Sequence, residues 1–498
     1  MRGSYWRFRP DCVGVVAAGG RGCSRRVLMA GVAALGGCAL GPRYERPGLD
    51  VPEAFRATAA SGEAAWPAAG WWRGLNSPEL DGLIERARAY NNDLAAAAAR
   101  MVQADAVVRI DGAPLLPTVN GTSNYQYQRS GLSRRSSSGL SSSGAGSSSQ
   151  YVDSRTYSAG LQASYALDFW GKNRAIYEAA QAQALASRFD QETVALTVVS
   201  SVATTYLQVL AGQDRLRVAE RNLRDSERIL AAYRARVAVG TANALDVSQQ
   251  EALVAGQRAG IPGLRNTIEQ NRIGLGILVG LPPERLEVKG GSLDALAVPV
   301  VAPGLPSALL LRRPDVAYSE ALLVGANANI RAARAAFFPD ITLTVQGGLT
   351  SAALSAITGP GTLVASLAAA LTQPIFDNGL RRGQLEQAKG RYAELVANYV
   401  KAVLQSFTDV EQTLTAFRYA GEQEVLEREA VRVAQRSADI ANAQLQAGTI
   451  DIITSLNTQN TLFNDLDQLV QIRLARFQAL IGLFKALGGG WRVDGAAP

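Results

Sequence analysis

The sequence contains no histidine, and its cysteines are Cys12, Cys23 and Cys38. Imidazole bases, imidazole metal ligands, cysteine–histidine dyads and zinc clusters are therefore excluded together. Catalysis would have to run on carboxylates, lysines or hydroxyls, and no glycine-rich phosphate loop or nucleophile elbow exists to organise them. One reactive side chain has an informative setting. Arg25-Arg26 is followed by an apolar run from Val27 to Leu35 and then by Gly36-Gly37-Cys38. A basic start, about nine apolar residues and small residues at the cut describe a secretory signal too short to span a bilayer.

The Leu35-Gly36-Gly37-Cys38 tetrad resembles the bacterial lipobox, whose cysteine is acylated and becomes the first residue of the mature protein. On this reading 1–37 is a signal peptide and Cys38 a lipid attachment site. Acyl chains contribute about 0.8 kcal/mol per buried methylene, so more than one chain makes a stable anchor. The competing reading is an ordinary signal cut nearby, with Cys38 a bystander thiol. Cleavage at Cys38 leaves no second thiol, hence no disulfide despite an oxidising destination. The charge divides at the same point. The chain carries +7 with a pI near 9.4, but residues 1–37 hold six arginines against Asp11, a net +5. The remaining +2 gives no ground for a nucleic-acid partner.

The elements that follow are organised by an internal repeat. Sliding the chain so that Gly171 falls on Gly379 also puts Arg174 on Arg382, Glu178 on Glu386, Val202 on Val410, Gly240-Thr241 on Gly448-Thr449 and Gly280 on Gly488. Each copy reads as a very long helix, a tight turn at Gly-Thr and a returning helix, over 171–280 and 379–488. No proline interrupts Arg174 to Ala238, and Val202, Val209, Leu216, Leu223, Leu230 and Val237 recur every seven positions. That pattern predicts one helix roughly 100 Å long. The adjacent positions Thr205, Gly212, Ala219, Ser226 and Tyr233 are thin for a dense bundle core and suit helices set side by side around a lumen. A plain antiparallel coiled coil is the bland alternative.

Taken in order, 38–75 reads as a lipid anchor and Pro-rich tether ending in Trp71-Trp72, which pack on the body. The first repeat, 76–280, opens with one helix from about Pro78 to Asp111. Then the period changes to two. Val119, Gly121, Ser123, Tyr125 and Tyr127 alternate with polar residues, and after a Ser/Gly tract Tyr157, Ala159, Leu161, Ala163, Tyr165 and Leu167 do the same, predicting a β-hairpin over 117–168. Residues 281–314, rich in proline, form an irregular equatorial linker. The second repeat, 315–488, again has a helix, a hairpin over 340–373 and the second helical hairpin, before a tail at 489–498. Strands of about ten residues at the top of so long a helix read as membrane strands, although a soluble hairpin with one wet face shows the same alternation. Four strands cannot close a barrel and open edges are not tolerated in lipid, so chains must pool theirs.

This order of motifs, with Asn92-Asp93-Leu94, Leu116-Pro117, Asp168-Phe169-Trp170-Gly171-Lys172, Leu311-Arg312-Arg313-Pro314-Asp315-Val316, Phe337-Phe338-Pro339 and Gln373-Pro374-Ile375-Phe376-Asp377-Asn378-Gly379, resembles the TolC-like outer-membrane factors of tripartite (RND-type) efflux systems, lipoprotein branch. The resemblance covers nearly the whole mature chain. It implies a mixed α and β fold: four membrane strands per protomer and long α-helical hairpins, with three copies forming a twelve-stranded barrel continued by a periplasmic α-barrel. It implies a passive exit duct in the outer membrane for small toxic solutes, with a periplasmic adaptor and an inner-membrane transporter as partners. No reaction and no cofactor beyond the covalent lipid on Cys38 are implied. In the family the periplasmic end closes just after the second Gly-Thr turn, which carries over to Ile453, Thr454, Asn457 and Asn460. OprM-like relatives have an aspartate and an arginine where this chain has Asn457 and Asn460, and TolC-like acids are replaced by Thr454 and Asn457. The constriction is therefore expected to be neutral, narrowed by Ile453. The turns Gly240-Thr241 and Gly448-Thr449 are the expected adaptor contacts. A structural outer-membrane coiled-coil lipoprotein without a pore is the alternative function.

Overall fold

The structure, a computed structural model, describes residues 42–49, 51–52, 55–56, 67–132, 150–240, 243–299 and 309–491. Cys38, Thr241 and most of the Ser/Gly tract lie outside the described residues. After a 3-10 turn at Trp71–Leu75 the chain forms α1 (Pro78–Tyr90), α2 (Asn92–Gly112), β1 (Thr118–Leu132), β2 (Gln150–Leu167), α3 (Lys172–Ala238) and α4 (Ala244–Leu278). Beyond the irregular belt come α5 (Pro314–Ala335), β3 (Asp340–Ser351), β4 (Leu363–Thr372), α6 (Leu380–Ala447) and α7 (Ile452–Ala486). With 67 and 68 residues, α3 and α6 are each about 100 Å long. Each starts beneath a strand, where a carboxylate takes up exposed amides of the first turn. Asp168 accepts from the N–H groups of Asn173 and Arg174, and Asp377 from those of Gly379 and Arg381.

The single helix expected from Pro78 to Asp111 is two helices. Asn91 leaves the helical region (φ −69°, ψ 131°), its side-chain oxygen accepts from the N–H groups of Asp93 and Leu94, and its amide donates to the Leu278 carbonyl at 2.9 Å. The break is fixed from outside. Gly280, at φ +68°, lies so close to the Tyr90 carbonyl that a Cβ would stand 2.3 Å from its oxygen, and its repeat mate Gly488 meets the Arg312 carbonyl in the same way. Only glycine fits either position.

Two apolar clusters occupy the middle of the rod, the first shared between the repeats and the second built mainly from the second repeat. Trp71, Trp72, Leu80 and Ile84 pack on Val202, Leu207 and Leu210 of α3 and reach Leu480 and Phe484 of α7, with Trp71 stacked on Phe484 at 4.7 Å. The second joins Leu309, Val316 and Leu323 to Tyr399, Val403, Val410 and Leu483. The tether is seated on the second cluster through Phe55 and through Arg46, which pairs with Glu320.

Side by side, the upper helices run α2, α3, α5, α6 and the lower ones α4, α3, α7, α6. The heptad stripe of α3 is fully buried only at Val202 and Val209 in the upper half and nearly so at Leu230. The neighbouring stripe, expected to be thin, makes the closest contacts to α4. Gly212 faces Ile268, which would collide with any side chain there, and buried Gln250 donates to the Ser226 carbonyl at 2.8 Å.

The strands form one antiparallel sheet in the order β1-β2-β3-β4. Its register aligns the alternations of all four. Val119 opposes Ala163, Ala163 opposes Val345 and Val345 opposes Leu367, a continuous apolar row. One residue along, Asn120, Gln162, Gln346 and Ser366 make a polar row on the other face. β4, whose sequence pattern is blurred, is a full strand exposed along its length. Trp170 stacks on Phe338 at 4.7 Å and donates to the Pro339 carbonyl, tying the two hairpins together at the base of the sheet.

Candidate functional site: an open sheet and a helical tip

Two surfaces carry functional geometry. The first is the sheet, which has one apolar face, one polar uncharged row and two edges, β1 and β4, without a partner strand among the described residues. At its base Phe169, Ile375 and Phe376 are exposed, Ile375 by 91%. Apolar side chains so displayed belong in a bilayer and its interface.

The second is the far end of the rod, where the two hairpin turns lie. Gly240 (φ +75°) and Gly448 (φ +73°) both adopt the left-handed conformation that ends a helix. Beyond Gly448, Thr449 donates from both its N–H and its hydroxyl to the Gln444 carbonyl, which closes the turn. Equivalent positions then cap the returning helices, Asn243 on α4 and Asp451 on α7. The bonds from Thr454, side chain first and N–H second, hold the Asp451 carboxyl below its ordinary value.

The four expected constriction residues fall on the first turns of α7. Ile453, Thr454 and Asn457 are exposed and Asn460 partly so, while Ile452, Ser455 and Gln459 are buried against the protomer. One helix face therefore presents an apolar residue and neutral amides together. The nearest acids along α7 are Asp451 and Asp465.

Sequence reasoning missed what holds this face in place. Tyr233, Leu445 and Ile452 form a small apolar knot between the two hairpins, joined by Ile229, Val247 and Ile450. Asn442 accepts from Gln459 at 3.1 Å and from the Ser455 hydroxyl, fastening α7 to α6. Burial, reinforced by Asp246, raises the Tyr233 hydroxyl above its usual range, so it stays neutral. The one available signal was Tyr233 on the secondary stripe of α3. Beside the knot, with Tyr233 and Leu445 in its wall, the hairpins part around a groove of about 770 Å³, lined also by Arg221, Asp225, Arg236 and Asp439. Among the described residues no cluster of acids is placed to hold a metal ion.

A sheet that must lose its edges in lipid, carried on paired rods, defines a subunit of a membrane channel assembled from several chains. The family model described as outer membrane efflux protein matches residues 83–281 and 305–489, and the chain belongs to that family. It is 42% identical over 460 residues to the pyoverdine export outer membrane protein OpmQ of Pseudomonas aeruginosa, covering 92% of this chain and 95% of that one. It is 33% identical over 465 residues to the toluene efflux pump outer membrane protein TtgC of Pseudomonas putida, covering 92% and 93%. The open state of the MtrE outer membrane channel of Neisseria gonorrhoeae superposes with a TM-score of 0.79 at 29% identity, covering 91% of this chain and 98% of that one. The protein is an outer-membrane efflux channel of TolC-like fold, and none of these relatives supports a spacer without a pore.

Proposed function

We propose that three copies of this chain form the exit duct of a tripartite pump, catalysing no reaction and passing solutes that an inner-membrane transporter delivers through a periplasmic adaptor. The observation that carries this reading is the sheet with two open edges and one apolar face. Four strands from each of three copies make twelve, above the roughly eight that the smallest membrane barrels need. The purified protein should run as a heat-sensitive trimer and conduct in planar bilayers. A stable monomer in lipid, or a trimer without conductance, would refute the duct. The relatives are named for cargoes as unlike as pyoverdine and toluene, which supports a cargo choice made upstream of the channel.

At the constriction, the exposed face of Ile453, Thr454, Asn457 and Asn460 closes or narrows the lumen without an ionic latch between Asn457 and Asn460. A neutral ring discriminates weakly by charge, whereas rings of carboxylates impose cation preference. Asn457→Asp, which places three carboxylates around the axis, should raise the cation-to-anion permeability ratio several-fold in single-channel recordings. Strong cation selectivity in the unmodified channel, lost when Asp465 is neutralised, would place the filter elsewhere.

The adaptor docks at the turns Gly240-Thr241 and Gly448-Thr449, beside the groove between the hairpins. Thr449→Arg should reduce efflux severalfold in a toxin-susceptibility assay with trimer yield unchanged, while Thr449→Ser, which keeps the hydroxyl bonded to Gln444, should behave normally. Wild-type resistance in Thr449→Arg would remove this turn from the docking surface.

The lipid on Cys38 is supported by the path of the tether. The Pro42 carbonyl accepts from Asn327 at 3.1 Å, and Asn327 is eight residues, about 12 Å, from the sheet-side end of α5. Four extended residues reach at most about 14 Å, so Cys38 can meet the inner surface of the bilayer at the barrel base. Cys38→Ser should abolish palmitate incorporation and leave the trimer in the outer membrane through its barrel. Labelling that persists would mean another residue is acylated.

A further inference from the structure

Where the rod meets the sheet, one surface carries more cations than its acids pair with. Arg174 and Arg382 are repeat mates on the first turns of α3 and α6, and Arg334 is the last residue but one of α5. Each is within about 3 Å, along its axis, of the sheet-side end of its helix. Lys389 stands about 14 Å from the same end of α6.

These side chains share a face. Arg334 is seven positions from Asn327, which holds the Pro42 carbonyl, and so points to the side on which the tether runs. Arg331, four positions from Asn327, pairs with Glu178, one turn from Arg174 on α3. On α6, Lys389 continues the stripe of Tyr392, Val396 and Tyr399, which joins the same apolar cluster as Tyr44 and Leu49 of the tether. Arg43 follows Pro42 and is exposed. The acids of this surface are engaged: Asp168 and Asp377 cap α3 and α6, Asp340 faces Lys172 at 3.5 Å, and Glu178 and Glu386 pair with Arg331 and Arg382. Among the described residues the side chains of Arg43, Arg174, Arg334 and Lys389 have no partner, against Glu45 as an exposed acid without one on the tether.

We propose that this cluster binds anionic phospholipids of the periplasmic leaflet, its cations taking the headgroup phosphate while the apolar collar above takes the acyl chains. Which face is outside rests on the proposed lipid at Cys38, to which the tether leads. Continuity with the membrane surface selects this ligand. Phe169, Phe337, Ile375 and Phe376 are exposed at the base of the sheet, as suits the boundary of a bilayer. The headgroup layer below that boundary is about 5–8 Å deep on each side, which covers Arg174, Arg334 and Arg382. Side chains of α3 and α6 lean toward their helix N-termini, here toward the membrane. Long cationic side chains extend their heads to the interface, so the Lys389 ammonium comes within a Debye length, about 8 Å, of the headgroups. Guanidiniums fork onto phosphate oxygens, and basic clusters beside a membrane concentrate anionic lipids.

The test uses the full-length, lipid-anchored trimer in phosphatidylcholine bilayers with trace spin-labelled phosphatidylglycerol or phosphatidylcholine, the immobilised fraction of each being read by electron spin resonance. Phosphatidylglycerol should associate several-fold more than phosphatidylcholine at low salt. The two should approach parity in about 1 M salt, where the Debye length is about 3 Å. Arg174→Gln, Arg334→Gln and Lys389→Gln combined break no ion pair and should remove most of the preference with the trimer intact on a native gel. Arg86→Gln, Arg88→Gln and Arg285→Gln combined remove the same charge from exposed positions of α1 and the belt and should retain it. No preference in the unmodified protein, a preference indifferent to salt, or one that the two triple variants affect alike would overturn the site. The salt series on the unmodified trimer decides even if a triple variant does not assemble. Palmitate labelling of Cys38 separates the two readings: labelled protein without a lipid preference ends the site alone, and a preference without the label ends the anchor alone.

Discussion

Glu424→Ala should lower the stability of the rod by about 3–5 kcal/mol, the range for removing one partner from a buried ion cluster. The Glu424 carboxylate is 2% exposed and accepts from Arg476 at 2.7 Å, from Arg473 at 3.0 Å and from Arg428. Arg473 also pairs with Asp294 of the belt, so the cluster locks α6, α7 and the equatorial linker into one unit. Without the carboxylate, the guanidiniums of Arg473 and Arg476, one turn apart on the same face of α7, lose the acid that they share. Burial already draws Arg473 below the usual guanidinium range; Asp214 opposes that effect and the charge of Arg476 adds to it. The measurement is the temperature or denaturant concentration at which the purified trimer dissociates, with Arg428→Ala as comparison because that side chain is 53% exposed. A loss under about 1 kcal/mol for Glu424→Ala, the range of exposed pairs, would mean that water reaches the cluster.

Leu367→Arg should be as severe by a different route. Leu367 sits midway along β4, 71% exposed in the protomer and opposite Val345 on the apolar face. An arginine facing lipid at the bilayer midplane costs about 2–4 kcal/mol, and the symmetry of the assembly applies that cost in every copy. Trimer yield in the outer membrane should fall sharply. Its neighbour Ser366 opposes Gln346 on the polar face, and Ser366→Arg should assemble nearly normally because its side chain stays in the water-filled lumen. The contrast tests the orientation of the sheet: if Ser366→Arg fails and Leu367→Arg assembles, the apolar face lines the interior and the membrane assignment is inverted.

Much of the fold is a local property of the chain and could be read there. Seven-residue spacing without proline gives a rod whatever surrounds it, and period-two alternation gives a strand with two unlike faces. The candidate residues Ile453, Thr454, Asn457 and Asn460 came from the resemblance, and the repeated Gly-Thr turn marks where α7, which carries them, begins. The buried supports were not legible. Tyr233 and Ile452 belong to opposite halves of the chain, and nothing in either local pattern says that they touch. Glu424 looks in sequence like any solvated acid on a charged helix, and only the approach of α7 buries it.

By itself, then, the amino-acid order determined the duplication, the four strands, the lengths of α3 and α6 and the need for more than one chain, since each follows from periodicity or from backbone hydrogen bonding in lipid; β1 and β2, at 15 and 18 residues, run longer than the ten or so that their alternation showed. The tertiary structure decided the break at Asn91, which depends on the Leu278 carbonyl and the close approach of Gly280 to Tyr90. It decided which stripe of α3 meets α4, because Gly212 and Ser226 act as contacts only when Ile268 and Gln250 stand opposite. It also decided the register that merges four alternations into one apolar and one polar surface. Periodicity fixes which way a side chain points along its own segment; what it points at is set by other segments of the chain.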